Sequence, residues 1–144
     1  MTTSPQTCLI TGASGGVATA LADALRAEGW RLALVARDCA RIVHVDGEIA
    51  IEADVSTEAG ARSAFDTAKA AFGAAHDAVV NCAGAVLIAP IARTSEQQYR
   101  DCLSANLYTA FFVAKAYTMA LQAEKRGGAL VLFSSVAAGV GVSN

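Results

Sequence analysis

The stretch Thr11-Gly12-Ala13-Ser14-Gly15-Gly16-Val17-Ala18 constrains the fold of this chain more than any other part of the sequence. It follows the apolar run Cys8-Leu9-Ile10 and opens a segment in which Val17, Leu21 and Leu25 recur at helical spacing. This pattern predicts a strand, a glycine turn and a helix. The first N–H groups of a helix lack intrahelical partners and carry partial positive charge, so such a turn is suited to bind phosphate.

The small residues of the turn have separate predicted roles in binding a dinucleotide. Gly12 permits the tight turn, Gly16 lets a pyrophosphate approach the backbone, and Ala18 lets the helix pack on the strand. Glycine turns between strands and helices are common, so the motif alone is weak evidence for a nucleotide site. The candidate cofactor-binding residues of the turn are Gly12, Ser14, Gly15, Gly16 and Val17.

The composition is typical of a globular α/β protein. Of the 144 residues, 54% are hydrophobic and 17% are charged, which suits a buried sheet. The net charge is −2 and no basic stripe is present, so we expect no nucleic-acid partner. No apolar run reaches the roughly 20 residues of a bilayer helix, and residues 1–6 lack the pattern of a signal peptide. We therefore expect no membrane partner and a cytoplasmic location.

The histidines and cysteines predict no metal site. His44 and His76 stand alone without a spaced partner, so we expect surface or structural roles for them. The cysteines form no CxxC pair and mostly lie in apolar runs, as is typical of reduced, buried thiols. They are Cys8, Cys39, Cys82 and Cys102.

The segment after the first helix predicts two more strands and a second helix. Glu28-Gly29 ends the first helix, Arg31–Ala36 and Ile49–Val55 are of strand length, and residues 37–47 have no regular pattern. Ser56 as N-cap, with Glu58 in the first turn, begins a second helix that ends at Gly73. Its predicted inward face is Ala61, Ala64, Phe65, Ala68 and Phe72.

The second half of the chain predicts two further strands around a long helix. Residues 78–80 form a short strand within 77–81, and a loop runs from there past Pro90. Thr94 and Gln97 form a capping box for a helix that reaches about Arg126. Its predicted inward stripe is Leu103, Leu107, Ala110, Phe111 and Ala114, with Asn106 on the same side. After Gly127-Gly128, residues 129–133 predict a parallel strand covered on both faces.

Strands and helices thus alternate, which predicts an α/β fold. We expect a Rossmann-like doubly wound parallel sheet of about five strands, in one nucleotide-binding domain over residues 1–144. The residues that follow the strands of such a sheet face one crevice. They are the glycine turn, Arg37, Asp54, Asn81 to Gly84, and Ser134-Ser135.

Together these motifs resemble those of the classical short-chain dehydrogenase/reductase family. The matching elements are Thr11-Gly12-xxx-Gly16-x-Ala18, Asp54-Val55, Asn81-Cys82-Ala83-Gly84, Asn106 in Asn-Leu-xxx-Phe, and Ser135 after the fifth strand. Ala18 and Cys82 replace a glycine and an asparagine that the family usually has. The resemblance implies an NAD(P)-dependent oxidoreductase that transfers hydride between nicotinamide and a small alcohol or ketone, and that assembles as a homodimer or homotetramer.

The resemblance also implies roles for individual residues. Ser135 would hydrogen-bond the reacting oxygen and Asn106 would position a proton-relay water, which makes these two the candidate catalytic residues. The residue types alone favour a turn or cap for Ser135 and a structural hydrogen bond for Asn106. The nucleotide-lining residues implied by the family are Asp54, Val55, Asn81, Ala83 and Gly84.

The end of the second strand bears on the choice between NADP and NAD. Ala36 stands where a carboxylate would accept from the ribose hydroxyls of NAD. The guanidinium of Arg37, next along, is suited to pair with the 2′-phosphate of NADP, so we favour NADP over NAD. The alternative is that Arg37 is an exposed solubilising residue neutralised by Asp38.

The family's Tyr-xxx-Lys pair, which supplies the proton donor, is absent from the sequence. Asn144 is reached first, and Tyr99, Tyr108 and Tyr117 have no lysine four residues on. We therefore expect an amino-terminal fragment whose fifth strand lies at an exposed edge. A catalytically inactive nucleotide-binding sensor or scaffold is the alternative. Residues 81–84 argue against an extended family member acting on nucleotide sugars, and the lack of Gly-Lys-Ser/Thr argues against a P-loop NTPase.

Overall fold

The computed structural model describes residues 5–139, which form a five-stranded parallel sheet with helices on both faces. The strands are β1 (Thr7–Thr11), β2 (Arg31–Ala36), β3 (Ile49–Glu52), β4 (Ala78–Asn81) and β5 (Ala129–Leu132). The helices are α1 (Gly16–Ala27), α2 (Glu58–Phe72), α3 (Glu96–Leu103) and α4 (Thr109–Glu124), and a π-turn at Ser104–Tyr108 joins α3 to α4. The predicted Rossmann-like α/β fold is confirmed. Within residues 5–139, no helix is long and apolar enough to cross a bilayer.

The order of the strands opens a crevice beside β1. The sheet runs β3-β2-β1-β4-β5, and every neighbouring pair is parallel. The chain moves outward from β1 through β2 to β3, and then returns to place β4 on the other side of β1. The loops that leave β1 and β4 therefore diverge at the carboxyl edge, which is where open α/β sheets bind ligands.

Alternate residues of the strands supply two separate hydrophobic layers. Leu9 of β1 is part of the layer under α2 and α4, whereas Ile10 is part of the layer under α1. Ala18 and Ala22 are the buried residues of α1. Val17 is 59% exposed, because it lies on the side of the helix that faces away from the sheet. The small side chain of Ala18 packs against the sheet as predicted.

The second helix is close to its prediction, with a shifted start. Ala61, Ala64, Phe65 and Ala68 are buried, and Gly73 ends the helix at a φ of 84°. The N-cap is Thr57 and not Ser56, since Thr57 Oγ1 accepts from the Gly60 N–H at 3.0 Å. Ser56 instead donates both its N–H and its hydroxyl to Asp54. This turn takes the chain out of the sheet, so β3 ends at Glu52 rather than Val55.

The start of the long helix is one residue later than predicted. The capping box is formed by Ser95 and Gln98 rather than by Thr94 and Gln97. Thr94 instead donates its hydroxyl to the Pro90 carbonyl at 3.1 Å. The helix ends at Glu124, before Arg126, because Lys125 adopts a left-handed conformation with a φ of 50°.

The inward stripe predicted for this helix is wrong at Leu107 and Phe111, whereas Ala110 and Ala114 are half-buried. A π-turn holds an extra residue, which rotates the following helix by about 100° relative to an uninterrupted one. The buried residues of α4 are Thr109, Val113 and Tyr117. Leu107 and Phe111, which were expected inside, are 57% and 59% exposed.

The apolar strand β5 is the edge of the sheet, as expected for the fifth strand. All four of its residues are exposed in the described part of the chain. The expectation of a strand covered on both faces is therefore wrong for residues 5–139. The exposed surface continues into Phe133, which is 60% exposed.

A polar clamp joins the end of α4 to the amino end of β4. The Asp77 carboxylate accepts from the Thr7 N–H at 2.8 Å and pairs with Arg126. The Tyr117 hydroxyl donates to the His76 carbonyl at 2.9 Å. His76 is 1% exposed, and both of its ring nitrogens lack a hydrogen-bond partner among the described residues. His76 is therefore part of the interior, whereas His44 is at the surface.

Candidate functional site

A cavity of about 700 Å³ opens at the carboxyl ends of β1 to β4. One wall is the turn after β1, and others are the residues that follow β2, β3 and β4. Residues of α3 and the π-turn also line it. The candidate residues that line this cavity are Gly12, Ser14, Gly15, Arg37, Asp54, Val55, Ala83 and Gly84.

The turn after β1 requires glycine at residue 12. Gly12 has a φ of 64°, and a Cβ there would lie 2.7 Å from the Ala83 N atom and 2.8 Å from the carbonyl carbon of Cys82. The missing side chain therefore lets the turn pack directly on the loop after β4.

A pair of buried side chains links the same two strands. The Thr11 hydroxyl donates to Asn81 Oδ1 at 2.5 Å and accepts from the Ala83 N–H at 3.3 Å. Asn81 is 4% exposed and does not line the cavity. Its side chain braces the cavity floor, since it ties the end of β4 to the end of β1.

No side chain of α1 or its N-cap residue supplies a negative charge or a cap at the amino end of this helix. Gly15 is the N-cap without a side-chain hydrogen bond, and the first turn contains no acidic residue. By contrast, α2 begins with the cap of Thr57 and an acid at Glu58. A Cβ on Gly16 would meet nothing within 4 Å. Packing therefore does not require glycine there, and the approach to the helix start is open. Gly16 and Val17 themselves lie outside the cavity lining.

Arg37 lines the cavity as an exposed side chain with no ion-pair partner in residues 5–139. Asp38 does not pair with it, and the Asp38 carboxylate accepts instead from the Ala40 N–H at 3.0 Å. Asp54 lies on the same side of the cavity. The hydrogen bond from the Ser56 hydroxyl lowers the pKa of Asp54, and the charge of Arg37 lowers it further. This end of the cavity therefore holds one free cation beside one ionised carboxylate.

Cys82, which stands in place of the family's asparagine, also lines the cavity. Burial raises its pKa, so the thiol is protonated at neutral pH. All four cysteines are free, but only Cys8 is fully buried and the others are half-buried. The expectation of buried, reduced thiols is thus met in part. In the described part of the chain, no three His, Cys, Asp or Glu side chains are grouped to hold a metal ion.

The two candidate catalytic side chains do not line the cavity. The Asn106 Nδ2 donates to the carbonyls of Ala85 and Cys102, each at 2.9 Å, and Oδ1 accepts from the Ala85 N–H at 3.2 Å. Asn106 is exposed and not buried as predicted. The exposed Ser135 accepts from the Ala137 N–H at 3.2 Å. Ser135 therefore makes the local cap that its residue type favours, and Asn106 makes structural hydrogen bonds, two of them to the distant Ala85.

Several site residues were missed in the sequence. Thr11 lies within the quoted turn motif, and Ser56 follows Asp54 at the spacing of an Asx turn, so a signal for both was available. The residues from α3, the π-turn and the start of α4 had none, because their approach depends on how these elements pack against the loop after β4. These missed lining residues are Gln98, Asp101, Cys102, Ser104, Ala105 and Thr109.

Comparison with known proteins agrees with this geometry. Residues 6–144 match the family model described as short chain dehydrogenase. The chain is 30% identical over 146 residues to an NADP-dependent (R)-specific alcohol dehydrogenase of Lentilactobacillus kefiri, covering 92% of this chain and 55% of that protein. It is 32% identical over 146 residues to D-threitol dehydrogenase of Mycolicibacterium smegmatis, covering 92% and 53%.

A mammalian relative shows the same partial coverage. The (3R)-3-hydroxyacyl-CoA dehydrogenase of Mus musculus is 29% identical over 148 residues, which cover 92% of this chain and 57% of that protein. The chain thus spans about half the length of the curated relatives it matches.

Solved structures share the arrangement of strands and helices. A short-chain dehydrogenase from Streptomyces avermitilis superposes with a TM-score of 0.84 at 25% identity, over 95% of this chain and 52% of that one. The ligand-free aldohexose dehydrogenase of Thermoplasma acidophilum has the same fold, with a TM-score of 0.81 at 23% identity over 93% and 51%. The family model, the relatives and the fold agree, and the chain belongs to the short-chain dehydrogenase family.

Proposed function

We propose that this chain is the cofactor-binding part of an oxidoreductase that transfers hydride between NADP and an alcohol or ketone. The observation that carries the proposal is the cavity at the carboxyl edge, which is lined both by Gly15, the N-cap of α1, and by Arg37, which has no ion-pair partner in residues 5–139. Family membership supports the general class of oxidoreductase. The choice of NADP and the class of substrate are our inference.

The residues around the glycine turn fit a pyrophosphate. The N–H groups at the start of α1 are offered to an anion, since neither a side-chain cap nor a first-turn acid occupies them. The open space at Gly16 lets a phosphate reach the backbone. Ser14, Gly15 and Val17 complete the proposed contacts of the turn.

The far end of the cavity fits the adenosine part of NADP. Arg37 would donate to the 2′-phosphate, and no carboxylate stands at Ala36 to repel it. Asp54 and Val55 would flank the adenine. Because Asp54 already accepts from Ser56, its carboxylate is held in place and does not bind Arg37 directly. One relative's name states NADP dependence, which supports this choice.

The two candidate catalytic residues would have different roles: Ser135 would contact the substrate, and Asn106 would act through the loop after β4 and a water. When bound, NADP supplies the nicotinamide that exchanges hydride with the substrate carbon. Ser135 would donate its hydroxyl hydrogen to the reacting oxygen, because its Oγ only accepts, from the Ala137 N–H, among the described residues and its hydrogen is not engaged there. Asn106 holds Ala85 at both its N–H and its carbonyl. It would thereby fix the loop beside Ala83 and Gly84, and by family resemblance it would position a proton-relay water.

We also propose that the protein acts as a homodimer or homotetramer. The large apolar side chains that α4 leaves exposed support this, in particular Phe111 at 59% and Met119 at 52%. The sedimentation coefficient as a function of concentration tests the proposal.

Titration of NADPH and NADH, followed by the fluorescence of the reduced nicotinamide, tests the cofactor proposal. We expect saturable binding with a lower Kd for NADPH. Gly16→Trp fills the approach to the helix start and should abolish binding without unfolding the chain, because a Cβ at residue 16 points into open space. If neither cofactor binds the unmutated protein, the proposal is wrong.

A further inference from the structure

The loop after β4 presents an aliphatic surface at one end of the cavity. Val86 and Leu87 line the cavity, and Ile88 follows them. Val86 is 87% exposed and Ile88 is 81% exposed, so these side chains add little to the hydrophobic core. No side chain from residue 82 to residue 92 is charged, and the Cys82 thiol is the only one with a hydrogen-bonding group. This wall therefore offers an incoming molecule only van der Waals contact and a weak thiol donor.

Hydrogen bonds on either side hold this wall in position. On one side, Asn106 bonds both the N–H and the carbonyl of Ala85. On the other side, the Pro90 carbonyl accepts from the Arg93 N–H at 2.9 Å and from the Thr94 hydroxyl at 3.1 Å. The aliphatic residues lie between these two anchored points, so the surface is preorganised and does not depend on folding inward.

The neighbouring segment after β5 has the same character. Asn81 of β4 pairs with Leu132 of β5, so the residues that follow the two strands leave the sheet side by side. Phe133 and Val136, which stand on either side of Ser134 and Ser135, are 60% and 88% exposed. An apolar surface therefore extends from the cavity toward the proposed catalytic serine.

The charges around the cavity disfavour an anion at this end. Arg37 is the one cation among the described lining residues, and it lies with Asp54 at the end formed by β2 and β3. Near the aliphatic wall, the lining residue that carries a charge is Asp101 of α3. Asp101 directly precedes Cys102 in the chain. The Asn106 amide donates to both the Cys102 carbonyl and the Ala85 carbonyl, which links this part of α3 to the aliphatic wall. A carboxylate or phosphate bound here would meet a like charge, with no cation among the described lining residues at this end to offset it.

We infer that the substrate of this site is an uncharged ketone or alcohol whose hydrocarbon chain packs on Val86 and Leu87. Polyols, and substrates that carry a carboxylate or phosphate on that chain, are disfavoured. The inference rests on the proposed function, because it assigns the opposite end of the cavity to NADP.

A binding experiment with matched ligands tests this assignment. The ¹⁵N-labelled protein is saturated with NADPH and then titrated with 2-octanone or with 7-oxooctanoate. The two ligands are the same ketone with a methyl group or a carboxylate at the far end of the chain. The amide signals of residues 85–87 are followed. We expect 2-octanone to bind at least about tenfold more tightly, the scale of discrimination that apolar pockets reach.

Two variants separate the cavity wall from surface charge in general. Val86→Asp places a carboxylate in the wall and should weaken 2-octanone binding about tenfold or more. Ile91→Asp makes the same change at a residue that is 95% exposed and outside the cavity lining, and should leave the Kd unchanged. Both variants should bind NADPH as the unmutated protein does.

The outcomes are distinguishable. NADPH binding together with equal or tighter binding of 7-oxooctanoate, or an equal effect of both variants, overturns the inference and leaves the proposed function standing. Absence of NADPH binding overturns the proposed function, and this inference with it.

Discussion

Gly12 and Gly16 stand four residues apart in one turn, yet the structure treats them differently. Gly12 has a positive φ and no room for a Cβ, whereas Gly16 has open space. We therefore expect Gly12→Ala to lower the free energy of unfolding by roughly 1–3 kcal/mol, the usual cost of a strained backbone position. Gly16→Ala should leave it unchanged or raise it by up to about 1 kcal/mol. Urea unfolding of the two variants gives the comparison. A larger loss for Gly16→Ala would contradict this account of the turn.

Arg37 is the residue on which the preference for NADP depends. Arg37→Glu replaces a donor for the 2′-phosphate by a like charge. We expect the Kd for NADPH to rise at least about tenfold, since a charge-assisted hydrogen bond contributes about 1.5–3 kcal/mol. The Kd for NADH should stay level or fall, because a carboxylate there can accept from the ribose hydroxyls.

Arg41→Glu is the matched control for this substitution. It makes the same charge change four residues away, at an exposed residue that does not line the cavity. An equal effect of the two substitutions on the ratio of the Kd values would show that the preference is a general charge effect and not a property of Arg37.

His76 predicts a loss of stability in mild acid. Its burial lowers its pKa to about 4, whereas the unfolded chain protonates near the ordinary value of about 6.5. Between these values the unfolded state takes up a proton that the folded state does not. The stability present above pH 6.5 is therefore lost toward pH 4, by about 3 kcal/mol in total. The nearby carboxylates of Asp77 and Glu124 have lowered pKa values, so their contribution is lost only at lower pH.

His76→Leu tests this pH dependence. Leucine fills a similar volume without a titrating ring, and it removes two nitrogens that have no partner in residues 5–139. The free energy of unfolding should then vary little from pH 6.5 to 4.5. His44→Leu, at an exposed residue, should keep the slope of the unmutated protein. A slope that survives in His76→Leu would assign the acid sensitivity to other groups.

At the scale of elements, the buried face of a continuous helix could be predicted from the sequence, whereas the buried face of the helix that a π-turn interrupts could not. The inward face of α2 followed from its spacing, because a continuous α-helix keeps its phase. The inward face of α4 did not follow from the spacing of its residues. In this segment the Asn106 amide donates a hydrogen bond to the Cys102 carbonyl, and the Thr109 hydroxyl donates one to the Ala105 carbonyl. These side-chain bonds accompany the π-turn, and one of the partners of Asn106 is Ala85, which is distant in sequence.

The bonds of Asn106 predict that it holds the loop after β4. Asn106→Leu removes both bonds to Ala85, so the Ala85 amide should exchange its hydrogen faster, with little change in the core strands. Asn106→Asp keeps the acceptor for the Ala85 N–H and loses the donor, so it should retain more of the protection. Hydrogen exchange followed by NMR measures both. Equal loss of protection in the two variants would contradict the assigned bond.

At the scale of the whole molecule, strand order explains which site residues could be predicted. The turn after β1, Arg37, Asp54 and residues 82–84 all follow parallel strands, and the order β3-β2-β1-β4-β5 brings them to one cavity. Ser135 follows the edge strand β5, so its place depends on packing beyond the strands that form the cavity. Which residues of α3 line the cavity depends on the π-turn, and no periodicity in the sequence predicts that turn.

The account as a whole depends on where a dinucleotide meets this fold. The direct measurement is the change of backbone amide chemical shifts in the ¹⁵N-labelled protein when NADPH is added. We predict that the largest changes are at Gly15, Gly16 and Val17 and at Arg37. The start of α2 should be unaffected, because the Thr57 side chain already occupies it. Saturating NADPH without shift changes at residues 15–17 would contradict the assignment of this turn as the pyrophosphate site.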